Sequence, residues 1–139
     1  CAEGVQLITG IGCDVVELER IEKVLQRHEK AFLDKVLSFS ELETYHKRKA
    51  GNSKRGLAFA ASRWAAKEAF SKALGTGIRD QVRLTDISVK NNELGAPYLV
   101  FSGELKELVQ KMGLDCFISL SDTDKVCMAV AVCERKNNG

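Results

Sequence analysis

Histidine is scarce in this chain, and its cysteines follow no ligand spacing. His28 and His46 are the only histidines; neither has a nearby partner that suggests catalysis, so both read as surface residues. Cys1, Cys13, Cys116, Cys127 and Cys133 form an odd set with no C-x-x-C pair. That pattern indicates neither a disulfide framework nor a zinc site, and it fits a reducing cytoplasm. Long apolar runs are missing as well. The longest, Val126 to Cys133, is eight residues, far short of a membrane span. No basic-then-apolar signal opens the chain, and a start at Cys1 in place of Met points to a remnant of expression or a trimmed beginning. Nor is there a surplus of charge. A formal net charge of +2 argues against a nucleic-acid binder acting through bulk charge, while leaving room for a local basic patch. Repeats, linkers and low-complexity segments are absent too, so residues 1–139 are expected to form one domain.

What the chain does have is an alanine-rich stretch from Phe59 to Gly77, which reads as a long central helix stopped at Gly75. At about 100° per residue, Phe59, Ala65, Ala66, Ala69, Phe70 and Ala73 share an apolar side. Arg63, Lys67, Glu68, Ser71 and Lys72 fall on the other, with Trp64 among them, where an aromatic gains nothing from exposure. Glu68 and Lys72 are four apart and could be an ordinary surface pair. One carboxylate among three cations could equally hold a hard metal and a polyanion together, given a second carboxylate. Asp14 is the candidate. It interrupts an apolar strand, Leu7 to Val16, in which Gly10 and Gly12 mark a bulge or a close backbone approach. Taken alone, Asp14 also suits a cap or a surface position.

Glu17 to about Leu37 reads as helical, in one or two pieces, with Ile21, Val24, Leu25 and Phe32 on one face. Arg20, Lys23, Arg27 and Lys30 make a basic row beside that stripe, either a solvated face or a docking ridge for an acidic protein. A further helix begins at Ser38 with Glu41, or Ser40 with Glu43, in capping-box spacing and ends near Lys49; Ala50 to Gly56 reads as a loop. Leu84–Lys90 and Pro97–Phe101 suggest a hairpin. Ser102 caps a short helix ended by Gly113, and strands at Cys116–Ser121 and Val126–Glu134 close the chain. Strands first and last with helices between predict an α+β fold, a largely antiparallel sheet packed with helices.

Two blocks resemble the holo-acyl-carrier-protein synthases, the small phosphopantetheinyl transferases. They are Gly10-Ile-Gly-Cys-Asp-Val-Val-Glu-Leu-Glu-Arg-Ile and Arg63-Trp-Ala-Ala-Lys-Glu-Ala-Phe-Ser-Lys-Ala-Leu-Gly-Thr-Gly. Gly95-Ala-Pro-Tyr and Ile118-Ser-Leu-Ser add weaker matches. The resemblance implies a phosphopantetheinyl transferase-like fold. It also implies transfer of the 4′-phosphopantetheine arm of coenzyme A to a serine of apo acyl carrier protein, releasing adenosine 3′,5′-bisphosphate. On matched positions, Asp14 and Glu68 would hold Mg²⁺, and Lys72 would neutralise or protonate the departing phosphate. Arg63 and Lys67 would contact coenzyme A phosphates, and Gly95-Ala-Pro97 would line an adenine pocket across a homotrimer interface. The serine proton would leave through a water on the metal or through Glu68. The basic row Arg20, Lys23, Arg27 and Lys30 lies where the family docks its carrier protein. Many relatives have histidine where this chain has Asp122; an aspartate there would repel phosphate unless protonated or paired, and could instead accept a hydrogen bond from the base or ribose or add to the metal's surroundings. Two other readings stay open on the residues themselves. One is Mg²⁺-dependent hydrolysis of a nucleotide pyrophosphate; the other is a non-catalytic coenzyme A- or protein-binding domain.

Overall fold

A ten-residue strand carrying two glycines, β1 (Ile8–Glu17), lies directly against a 22-residue helix, α3 (Ser53–Leu74). The glycines make that contact possible. A Cβ on Gly10 would sit 1.8 Å from the Ala73 carbonyl oxygen, and one on Gly12 would sit 2.1 Å from that of Ala69. Strand and helix backbones therefore meet at a glycine–alanine seam, and the strand register shifts between Ile8 and Gly10. The close approach and the bulge are both there.

The computed structural model describes residues 7–75 and 82–136, so Cys1, Thr76 and Gly77 lie outside it. After β1 come α1 (Leu18–Val36) and α2 (Phe39–Gly51), then α3 and a 3-10 turn at Leu84–Asp86. β2 (Ile87–Asn91), β3 (Pro97–Phe101), α4 (Gly103–Met112), β4 (Leu114–Asp122) and β5 (Val126–Arg135) complete the order. The fold is α+β with every strand pair antiparallel. The strands divide into a three-stranded sheet, β1-β5-β4, and a separate hairpin, β2-β3. Among the described residues, no helix is long and apolar enough to cross a membrane.

Several local expectations change. α1 does bend in two, at His28, whose backbone is non-helical. The loop expected over Ala50–Gly56 shrinks to Asn52, which ends α2 and caps α3, its side chain accepting from the Lys54 amide at 2.8 Å. Gly51, Asn52 and Ser53 are turn formers, but here they serve helix ends. Leu84–Asp86 form a helical turn before the strand. Ser102 occupies the N-cap position of α4 without a side-chain capping bond; Gly113 ends that helix at φ 66° and Gly75 ends α3 at φ 70°, both left-handed.

β1 is not apolar on two covered sides. Gly10, Gly12, Asp14 and Val16 face α3, whereas Ile11 and Val15 are 64% and 61% exposed on the outer face of the sheet. α3 departs most from expectation. From Phe59 to Phe70 no residue is exposed, and Arg63 and Lys67 are buried with the alanines. The helix is the core of the molecule, and only Ser62, Trp64 and Glu68 are partly open along this stretch.

Candidate active site

The seam between β1 and α3 brings together residues 54 positions apart. Asp14 points toward the helix, as strand alternation requires once Gly12 and Val16 do. Its Oδ1 accepts from Lys72 Nζ at 3.2 Å, and the same ammonium donates to the Cys13 carbonyl at 3.0 Å. The pair is open to solvent mainly from the lysine side, Lys72 being 55% exposed and Asp14 18%. Glu68, one turn before Lys72 and half-buried, lies in the field of Asp14. Burial is the first cause raising its carboxyl above the ordinary range and repulsion from Asp14 the second; Lys72 and Lys35 act the other way. Lys72 thus bonds Asp14 directly, while Glu68 feels Lys72 and Lys35 only through space.

Hard oxygen donors suit Mg²⁺, which takes one or two carboxylates and fills its remaining positions with water and phosphate oxygens. Asp14 and Glu68 fit that demand. Among the described residues no group of three or more histidine, cysteine, aspartate and glutamate side chains gathers.

The other expected site residues separate into two groups. Arg63 faces a cleft of about 280 Å³ between α2, α3 and β2. Its guanidinium donates to Ser62 Oγ, the Val89 carbonyl and Asn91 Oδ1 at 3.0, 3.2 and 3.2 Å, and lies 4.2 Å from the Phe59 ring centre. Its Nε is the one buried side-chain polar atom without a partner among the described residues. Arg48, which no motif singled out, lines the same cleft and reaches the same ring at 4.9 Å. Lys67 corrects the expectation most clearly. Its ammonium is 0% exposed, 2.6 Å from Glu41 Oε1 and 2.5 Å from the Val36 carbonyl, out of reach of a phosphate. Lys35 is another missed residue, a cation from the last turn of α1 in the field of Glu68.

Trp64 is not a free exposed aromatic. It packs on Phe32 with ring centres 5.8 Å apart, and both line a cavity of about 410 Å³ shared with Val16, Ile21, Asp14 and Arg20. The basic row is exposed, but Lys23 pairs with Glu19 and Lys30 with Asp34, and the His28 bend falls between Arg27 and Lys30. Pro97 opens β3 opposite Asn91, the residue that Arg63 holds. Asp122 ends β4 at the surface opposite Cys127; burial first, then Asp122, pushes that buried thiol up to about 11.

Comparison with known proteins accounts for nearly the whole chain. The sequence profile of the 4′-phosphopantetheinyl transferase superfamily matches residues 10–131. The holo-[acyl-carrier-protein] synthase of Herminiimonas arsenicoxydans is 42% identical over 130 residues, covering 94% of this chain and all of that one. Among solved structures, the holo-[acyl-carrier-protein] synthase of Neisseria meningitidis superposes with a TM-score of 0.84 at 34% identity, over 93% of this chain and all of that one. The Bacillus anthracis enzyme in complex with CoA (3′,5′-ADP) superposes with a TM-score of 0.77 at 35% identity, over 94% and 100%. The chain is an enzyme that belongs to the 4′-phosphopantetheinyl transferase superfamily, in its holo-[acyl-carrier-protein] synthase family.

Proposed function

We propose that this enzyme transfers the 4′-phosphopantetheine arm of coenzyme A to a serine hydroxyl of apo acyl carrier protein, with Mg²⁺ on Asp14 and Glu68. The observation that carries the reading is the convergence of Asp14, Glu68 and Lys72 at the β1–α3 seam. A bound Mg²⁺ supplies a hard positive charge that neutralises pyrophosphate oxygens. Glu68 takes the serine proton as the hydroxyl oxygen bonds to the phosphorus that carries the arm. The bond from that phosphorus to the bridging oxygen breaks, and Lys72 neutralises the charge on the departing adenosine 3′,5′-bisphosphate. Arg63 is the phosphate contact of the donor, its guanidinium lining the cleft with three of its five N–H groups bonded.

The carrier protein docks along α1. Arg20 lines the same cavity as Asp14, so the exposed row of Arg20, Lys23 and Arg27 leads into the site. Three subunits complete it. The outer face of the three-stranded sheet carries an apolar row, Ile11–Val132–Phe117, flanked by Val15–Met128, which suits burial against copies of the chain. In that trimer the Gly95–Pro97 turn reaches a neighbour's adenine.

Intact-mass analysis of an apo acyl carrier protein incubated with the enzyme, coenzyme A and Mg²⁺ tests the proposal. The expected result is a gain of one 4′-phosphopantetheine that a chelator abolishes. Coenzyme A consumed with no gain on the carrier would replace transfer with hydrolysis.

A further inference from the structure

Glu41 and Lys67 form a buried ion pair, 3% and 0% exposed, that joins four parts of the chain. Lys67 Nζ holds the carbonyl of Val36, the last residue of α1. Glu41 Oε1 accepts both that ammonium and the amide of Ser38 at the start of α2, and Glu41 Oε2 accepts the amide of Val89 in β2 at 2.8 Å. The capping-box geometry is real, and its glutamate also reaches β2. Arg63, one turn earlier on α3, takes the carbonyl of the same Val89. Two basic side chains of α3 thus address the N–H and C=O of one strand residue, one through Glu41 and one directly. That arrangement fixes the rotation of the helix about its axis.

Such a pair is a poor source of stability, because desolvating two charges offsets most of their attraction. Its use is better sought in geometry. Glu68 follows Lys67 and precedes Ala69, at about 100° per residue along the helix. On the Lys67 side, α3 is tied to α1, α2 and β2. On the Ala69 side, it is pressed on Gly12 of β1. Glu68 therefore projects between two anchors, toward an aspartate that repels it. We infer that the Glu41–Lys67 pair is a positioning device that sets the rotation of α3 and so holds Glu68 beside Asp14. Lys67 acts through Glu68 and touches neither substrate nor metal. The inference deepens the transferase reading and rests on it for its kinetic readout.

The test compares the parent with the double variant Glu41→Gln/Lys67→Met. Glutamine keeps an acceptor for one of the two amides, and methionine fills the lysine stem's space, so this variant avoids the stranded charge of either single change. Thermal unfolding establishes a cooperative fold first. Transfer kinetics and Mn²⁺ binding, followed by electron paramagnetic resonance without carrier protein, are then measured on both proteins. The expected result is a kcat lower by about tenfold or more, a coenzyme A KM within about threefold, and Mn²⁺ affinity lower by about tenfold. A folded variant with parental kcat and Mn²⁺ affinity would reduce the pair to a structural role and overturn the inference. So would a variant that unfolds where Lys67→Met alone remains folded and fully active. A parent that neither transfers the arm nor binds Mn²⁺ would remove the functional reading itself, an outcome visible before any variant is compared.

Discussion

α3 carries two carboxylate–lysine arrangements within two turns, and they differ in almost everything except residue type. Lys67 meets Glu41 in a dry space where every oxygen and the ammonium have partners from four elements. Lys72 meets Asp14 at the molecule's edge, with Glu68 beside them and one bonded ammonium for two carboxylates. The first arrangement is closed and balanced, so it can only hold parts together. The second is half-open and not closed by hydrogen bonds, as the proposed cation and phosphate sites require. The same chemistry reads as structure or as function according to whether its valences are already filled.

The largest expected effect breaks the comparison by exchanging like for like. Lys67→Met strands a buried Glu41 and should cost about 3–5 kcal/mol of folding stability, whereas Lys72→Met should cost no more than about 1 kcal/mol, its partnership being solvent-screened. Denaturant titration of both variants measures this. Equal losses would mean that burial does not distinguish the two lysines.

Next in size is the loss of chemistry on the open side. Asp14→Asn and Glu68→Gln should each lower transfer on the order of 10²- to 10³-fold while leaving the protein folded, since each removes one of two mutually repelling carboxylates. Mass analysis of the carrier protein against time gives the rates. Near-parental rates in both variants would remove these residues from the reaction.

How far the sequence revealed the two sides follows from the same contrast. The proximity of Asp14, Glu68 and Lys72 could be expected because each broke a local rule: an acid in an apolar strand behind two glycines, and an i,i+4 pair beside surplus cations. Lys67 was misread because helical periodicity assumes that one side of a helix meets water, and between Phe59 and Phe70 no residue of α3 is fully exposed. Trp64 was misplaced for the same reason, its partner Phe32 lying on another helix. Glu41 was visible as a cap, but its bond to the Val89 amide joins residues 48 apart and leaves no local trace. The strands and their antiparallel sense were clear in outline; their order and their division into two sheets depend on pairings that no short window records.

A smaller perturbation moves the two sides apart without touching a charge. Gly12→Ala places a methyl 2.1 Å from the Ala69 carbonyl, and the seam must open to admit it. About 1–3 kcal/mol of stability should be lost, and activity should fall further than stability explains because Asp14 recedes from Glu68. Activity assayed well below the variant's unfolding midpoint separates the effects; full activity there would show that the seam tolerates slack. Smaller still is Arg20→Glu with Arg27→Glu, expected to weaken carrier-protein binding roughly tenfold at low salt and leave coenzyme A affinity unchanged. Calorimetry with each ligand decides, and an equal loss for coenzyme A would move the basic row into the nucleotide site.

The finest test asks whether the open side is strained when no metal is present. Burial, then Asp14, raises the Glu68 carboxyl above its ordinary value of 4.5. A raised carboxyl means that the folded chain holds its proton more tightly than the unfolded chain does. The stability this contributes is fully present below the unfolded value and is lost as pH rises through the folded one. Above that point a charged Glu68 faces Asp14 with Lys72 and Lys35 opposing only part of the repulsion. In a chelator, Glu68→Gln lacks this titration, so its unfolding midpoint should gain on that of the parent as pH climbs above 4.5. Adding Mg²⁺ at neutral pH should reverse the gap, because only the parent has both carboxylates to offer it. Parallel pH profiles, unchanged by Mg²⁺, would mean that Asp14 and Glu68 are as settled in the metal-free protein as Glu41 and Lys67, and the contrast between the two sides of α3 would lose its energetic basis.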